Sequence, residues 1–195
     1  MVLRQALHSK KPIHKKAIDM SEKSYKEYLN DITTFIFDVD GVLTDGTVTV
    51  TTSGEMLRTM NIKDGYALKT AIDKGYNICI ISGGSNEGVR LRLQGLGVKD
   101  IHLGISDKVS TLNDYFKSKN LDKKEALYMG DDIPDLKVMQ MVGLPCCPQD
   151  AAPEIKAISN YVSHKNGGKG AVRDIIEQVM KVQGRWNTNF DAKYD

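Results

Sequence analysis

From residue 35 onward the chain alternates short, dense apolar runs with longer amphipathic segments. FIFDV (35–39), NICIIS (77–82), IHL (101–103), EALYMGD (125–131) and GLPCCP (143–148) are too short for buried helices and read as strands. Between them the spacing predicts helices near 65–74, 86–95, 107–119 and 133–142, the third with Val109, Leu112, Tyr115 and Phe116 at helical intervals. A last helix follows GGKG (167–170) and places Val172, Ile175, Ile176, Val179 and Val182 on an inner face. Strands that are apolar throughout lie buried on both sides, so the prediction is a doubly wound α/β fold with a mainly parallel sheet, resembling a Rossmann core.

Two stretches break this rhythm. Residues 47–62, TVTVTTSGEMLRTMNI, alternate at Val48 and Val50 and then turn at Thr-Ser-Gly, which predicts a β-hairpin inserted after the first strand. It is too short for a cap domain with its own core. Residues 1–30 carry only a short helical pattern (Ile18, Tyr25, Leu29) and are expected to form an arm, while 184–195 read as a tail. The domain proper is therefore expected over 31–183.

Charge sharpens this division. Of 27 Lys and Arg and 25 acids, residues 1–30 hold seven and three, leaving 20 basic and 22 acidic residues in the body. A slightly acidic body gives no basic surface for nucleic acid. No apolar stretch approaches the roughly 20 residues that span a bilayer, and the start lacks a secretory apolar core. A cytoplasmic protein without membrane contact is expected. Cys79 lies in an apolar run, and the neighbours Cys146 and Cys147 could pair only in a strained ring, so free, partly buried thiols are expected. His8, His14, His102 and His164 lack partners at zinc spacing.

Candidate chemistry sits where the apolar runs end. FIFDVDGVLTDG carries a strand straight into Asp38 and Asp40, two like charges that are costly together unless a cation or shared proton relieves them. In open α/β sheets ligands bind beyond the carboxyl ends of the strands, so Ser82 after ICII and Asp131 with Asp132 after LYMG belong to the same edge, with Lys108 opening a helix. Three carboxylates, a hydroxyl and a lysine suit a phosphoryl group bound with Mg²⁺, held by Asp38, Asp131 and the backbone carbonyl near Asp40. In that arrangement Asp38 attacks phosphorus, Asp40 serves as acid and base, and Ser82, Lys108 and the N–H groups around Gly83 hold the phosphoryl oxygens. Each residue alone has an ordinary explanation: Ser82 as a helix cap, Lys108 as a surface lysine, Asp135 as a cap or an orienter of the GDDIPD loop.

Together, DVDGVLT, the Ser of ISGG, Lys108 and GDDIPD resemble, in order, the four motifs of the haloacid dehalogenase-like phosphatases over about residues 33–163. The resemblance implies Asp38 as nucleophile, Asp40 as acid/base, Ser82 and Lys108 as phosphate ligands and Asp131 as metal ligand. The second aspartate, Asp40, marks phosphatases rather than dehalogenases. DGVLTDG with its hairpin, NIKDGYALK (61–69) and GGKGAVRD (167–174) are further similar to the cap-less phosphatases of 3-deoxy-D-manno-octulosonate 8-phosphate (KDO 8-phosphate) in lipopolysaccharide synthesis. That family implies a homotetramer in which one subunit's hairpin covers the next site, and offers Thr44, Lys63, Arg92 and Arg173 to the hydroxyl and carboxylate groups of a phosphorylated sugar acid. The chain departs from its relatives at Gly84, where an Arg often stands, and has Ser82 for Thr. A nonulosonate 9-phosphate as substrate and a non-catalytic tetramerisation module are the rival readings; nucleotide-binding glycine motifs are absent.

Overall fold

The structure is a computed structural model that describes residues 25–186, so most of the expected arm and tail lies outside the described residues. In chain order the sheet strands are β1 (Thr34–Phe37), β4 (Asn77–Ile81), β5 (Asp100–His102), β6 (Ala126–Met129), β7 (Leu144–Cys147) and β8 (Tyr161–Val162), with the hairpin pair β2 (Thr49–Val50) and β3 (Met56–Leu57) apart. The helices are α1 (Tyr25–Leu29), α2 (Ile62–Asp73), α3 (Glu87–Gly95), α4 (Lys108–Lys119), α5 (Leu136–Met139), α6 (Pro153–Ile158) and α7 (Ala171–Val182).

All six sheet strands run parallel in the order β5-β4-β1-β6-β7-β8. The order reverses at β1, whose Phe37 pairs with Ile80 of β4 on one side and Met129 of β6 on the other. Because side chains alternate across a strand, each strand feeds two cores. Phe35, Phe37, Ile80, Leu127 and Met129 pack with α2 and α7, whereas Ile36, Cys79, Ile81 and Tyr128 pack with residues of α4, α5 and α6. Burying each large side chain contributes about 1.5–3 kcal/mol, so β1 is fixed firmly from both faces.

Several expectations change in detail. The helix expected over 133–142 is a single tight turn, Ile133–Asp135, followed by the four residues of α5. Asp132 starts that turn by accepting the N–H of Ile133 at 2.8 Å, and Pro134 suits only a first turn. Val182 does not join the inner face of α7 and is 42% exposed. Gln183 takes the inward position instead, donating to the carbonyls of Leu29 and Ile32 at 2.7 and 2.8 Å. The three thiols are free and wholly buried. No helix among the described residues is long and apolar enough to cross a membrane.

Candidate active site

Asp38 follows β1 directly, and its N–H donates to the carbonyl of Met129, which ties the end of β1 to the end of β6. Asp131 stands two residues beyond β6, so both carboxylates meet at the point where the strand order reverses. Gly41 makes room for this meeting. It adopts φ +80°, and a Cβ there would lie 1.9 Å from Asp131 Oδ2.

Lys108 is the first residue of α4, a position where the helix dipole opposes a cation. Two acids offset that cost: Nζ lies 3.0 Å from Asp38 Oδ2 and 2.8 Å from Asp135 Oδ1. Asp135 is almost fully buried and also accepts from the Tyr128 hydroxyl at 2.7 Å and the Asp131 N–H at 3.3 Å. It thus orients the lysine and the loop that carries Asp131. Asp38 accepts the N–H of Val39 at 2.7 Å through its other oxygen.

The charges do not balance. Burial first, then the charges of Asp38, Asp135 and Asp132, push Asp131 up to about 7. Burial and Asp135 push Asp38 up to about 6 against the opposing pull of Lys108. Burial would lower Lys108, yet the charges of Asp38 and Asp135 hold it above the ordinary lysine value. One lysine among three converging carboxylates leaves excess negative charge. Oxygen atoms of Asp38, Asp131 and Asp135 all lie within 4.8 Å of one another, a donor set that fits a hard divalent cation.

These residues line one cavity of about 940 Å³ together with Asp40, Ser82, Gly83, Gly84 and Asp132. Ser82 is buried and accepts the N–H of Gly84 at 3.3 Å; the cap of α3 is Asn86, so Ser82 is not a helix cap. Asp40 is gripped by Arg58, a residue of the hairpin segment that the sequence reading passed over. Its only advance signal is a lone arginine beside an alternating pair of short strands.

The residues expected at the sugar are dispersed. Thr44 is fully buried, and its hydroxyl accepts from the N–H groups of Gly41 and Gly46 at 3.3 and 3.4 Å, so it braces the loop after β1 rather than facing the cavity. Lys63 and Arg173 line a separate, lysine-rich cavity of about 740 Å³. Arg173 lies 5.6 Å from the rings of Tyr66 and Trp186 and pairs with Glu177. Arg92 lines a third, between the hairpin and α3. Gly167 and Gly168 pack on the backbone of Gly41 and Thr44, where a side chain would collide.

A doubly wound sheet with Asp38 and Asp131 at its point of reversal, Lys108 opposite and an acidic loop beside them is an arrangement suited to a hydrolase of the haloacid dehalogenase-like class, and the profile of the haloacid dehalogenase-like hydrolases matches residues 100–176. The 3-deoxy-D-manno-octulosonate 8-phosphate phosphatase of Salmonella typhi is 34% identical over 155 residues, which cover 80% of this chain and 82% of that protein. The chain belongs to this family of phosphatases within the haloacid dehalogenase-like hydrolases. The crystal structure of the Yersinia pestis phosphatase superposes with a TM-score of 0.81 at 30% identity, covering 83% of this chain and 88% of that one. The Moraxella catarrhalis phosphatase, solved with magnesium, phosphate and KDO, gives 0.80 at 31% identity, covering 82% and 92%.

Proposed function

We propose that the chain is a magnesium-dependent phosphatase that converts KDO 8-phosphate to KDO and inorganic phosphate. The observation that carries this reading is the convergence of Asp38, Asp131, Asp135 and Lys108 at the reversal point, with Asp40 and Ser82 in the same cavity. Asp38 and Asp131 would hold the ion, with the Asp40 carbonyl, and Asp135 would orient them. Bound Mg²⁺ supplies the positive charge that keeps the carboxylates ionised and draws electron density from the phosphoryl oxygens.

In the first step an Asp38 oxygen bonds to phosphorus while the bond from phosphorus to the sugar oxygen breaks, and Asp40 gives that oxygen a proton. In the second, water attacks phosphorus and passes its proton to Asp40, and the electron pair of the broken bond returns to Asp38. Ser82, the Gly83 N–H and Lys108 stabilise charge on the other phosphoryl oxygens.

The hairpin supports an assembly. Val50, Met56 and Leu57 are 66%, 52% and 51% exposed on strands of two residues each, too little structure to leave apolar faces in water. In our reading four copies associate, and each hairpin helps to cover the next site. Lys63, Arg92 and Arg173 then address the sugar acid bound by a neighbour. Residues 31–183 form the catalytic unit, working in the cytoplasm in lipopolysaccharide synthesis.

The test is phosphate release with Mg²⁺ from KDO 8-phosphate, KDN 9-phosphate and sialic acid 9-phosphate, alongside solution mass by light scattering. A preference for the eight-carbon substrate, abolished by chelator and by Asp38→Asn with the tetramer mass retained, is expected. Preference for a nine-carbon acid overturns the substrate, and release by Asp38→Asn overturns the nucleophile.

A further inference from the structure

Arg58 leaves an otherwise exposed hairpin segment and turns inward, so that its side chain is only 8% exposed. Its guanidinium meets Asp40 edge-on, Nε to Oδ1 at 2.7 Å and Nη2 to Oδ2 at 3.1 Å. The remaining nitrogen, Nη1, donates to the carbonyl of Met56 at 3.1 Å, which fixes the arginine against its own strand. The same carbonyl accepts from Asn86 Nδ2 at 2.9 Å, while Asn86 Oδ1 caps α3 through the N–H of Val89. One carbonyl therefore joins the hairpin, Arg58 and the start of α3.

The space for this pair is reserved. A Cβ on Gly84 would stand 3.0 Å from Asp40 Oδ2 and 3.5 Å from Arg58 Nη2, so any side chain there presses on the pair. Gly84, Asp40, Arg58, Ser82 and Asn86 enclose a void too small for water between the catalytic cavity and the groove under the hairpin. Among the described residues, the one other contact that fixes the Asp40 carboxylate is a long one from the Thr44 hydroxyl at 3.4 Å. A two-point guanidinium grip sets both the position and the plane of a carboxylate.

We infer that Arg58 is the positioning residue for Asp40: the hairpin of each subunit aims the acid/base carboxylate of its own site, and Gly84 keeps the room for it. The inference rests on the phosphatase reading. It assigns the hairpin a task within its own subunit, separate from covering a neighbour's site.

The experiment compares the full-length wild type with Arg58→Met, Arg58→Lys, Gly84→Ala and the Arg58→Met/Gly84→Ala double variant, using 4-nitrophenyl phosphate with Mg²⁺. This substrate has no sugar for a hairpin to contact, and because 4-nitrophenolate leaves without a proton, its turnover reads the second step, in which Asp40 takes the proton of the attacking water. Misplacing an acid/base group by about 1 Å is expected to lower kcat for Arg58→Met roughly 10- to 100-fold with KM within about twofold. Arg58→Lys should recover part of kcat, because an ammonium still pairs with Asp40 though at one point. Gly84→Ala, a single methyl with no loss of charge, should lower kcat in the same way, and the double variant should fall little further than Arg58→Met alone. A kcat for Arg58→Met within about twofold of wild type, a rise in KM alone, or full additivity in the double variant overturns the inference. If the wild type releases no phosphate from either 4-nitrophenyl phosphate or KDO 8-phosphate, the phosphatase reading falls and takes this one with it; activity in the wild type with unaffected variants removes the inference alone.

Discussion

Replacing Lys108 with methionine keeps the stem of the side chain and removes its charge from between Asp38 and Asp135. The three side chains are 8%, 11% and 1% exposed, so water screens the loss very little. Removing one partner of a buried ion pair costs about 3–5 kcal/mol. Asp135 retains the Tyr128 hydroxyl and the Asp131 N–H, which sets the expectation at the lower end, about 3 kcal/mol. In a chain of this size that lowers Tm by about 6–12 °C. The loss should also depend on pH. Asp38 already stands at about 6, above the ordinary aspartate value of 3.8, and Lys108 is one of the groups pulling it down. Without the lysine it rises further, at about 1.4 kcal/mol per unit. A carboxyl with a raised folded value lends stability that is complete below the unfolded value and is lost as pH climbs through the folded one. The variant should therefore resemble wild type more closely near pH 5 than at pH 7.5. Urea unfolding with chelator present at both pH values measures this. An equal loss at the two, or a loss below about 1 kcal/mol at pH 7.5, would refute the argument.

Two further outcomes follow from the same reasoning. Asp64, almost wholly buried, accepts the Arg173 N–H at 2.7 Å and so caps α7, whose own cap position is Gly170; burial pushes it up to about 6, and its share of wild-type stability should fall by about 3 kcal/mol as pH rises from about 4 to above 6, in addition to the shares of Asp38 and Asp131. Asp64→Asn keeps the accepting oxygen and should remove that share, making the slope in urea unfolding shallower; an unchanged slope would assign it to other groups. Gly41→Ala forces a methyl onto Asp131 Oδ2 at φ +80° and should cost about 1–2 kcal/mol of stability while lowering kcat at least ~100-fold. A steady-state phosphate assay decides it, and near-normal turnover would show that Asp131 can move aside harmlessly.

The strands and the gathering of Asp38, Asp40, Ser82, Lys108 and Asp131 were legible because each residue ends an apolar run or opens a helix. The doubly wound topology brings such positions to one edge. What escaped notice depends on contacts that leave no period in the sequence. Arg58 finds Asp40 by folding back across a turn, and nothing in TTSGEMLRTMNI distinguishes an inward arginine from a solvated one. Tyr128 looks like any strand aromatic until its hydroxyl is seen on Asp135. The six residues of α6 and two of β8 are too few to display either a helical or an alternating pattern. The dispersal of Lys63, Arg92 and Arg173 follows from their places on α2, α3 and α7 rather than in the segments after β1, β4 and β6 that line the catalytic cavity.

The pairing of β1 with β6, Thr34 opposite Ala126, has a consequence for how the protein is made. Asp38 leaves the ribosome early, but the strand that brings Asp131 and Asp135 to it emerges only after β4, α3, β5 and α4 have been synthesised. Until then the nascent chain holds Asp38 and Lys108 without the acidic loop, and no truncated product ending before residue 135 can carry the assembled site. The cluster of Asp38, Lys108, Asp131 and Asp135 can therefore close only late in synthesis, once β6 lies against the central strand.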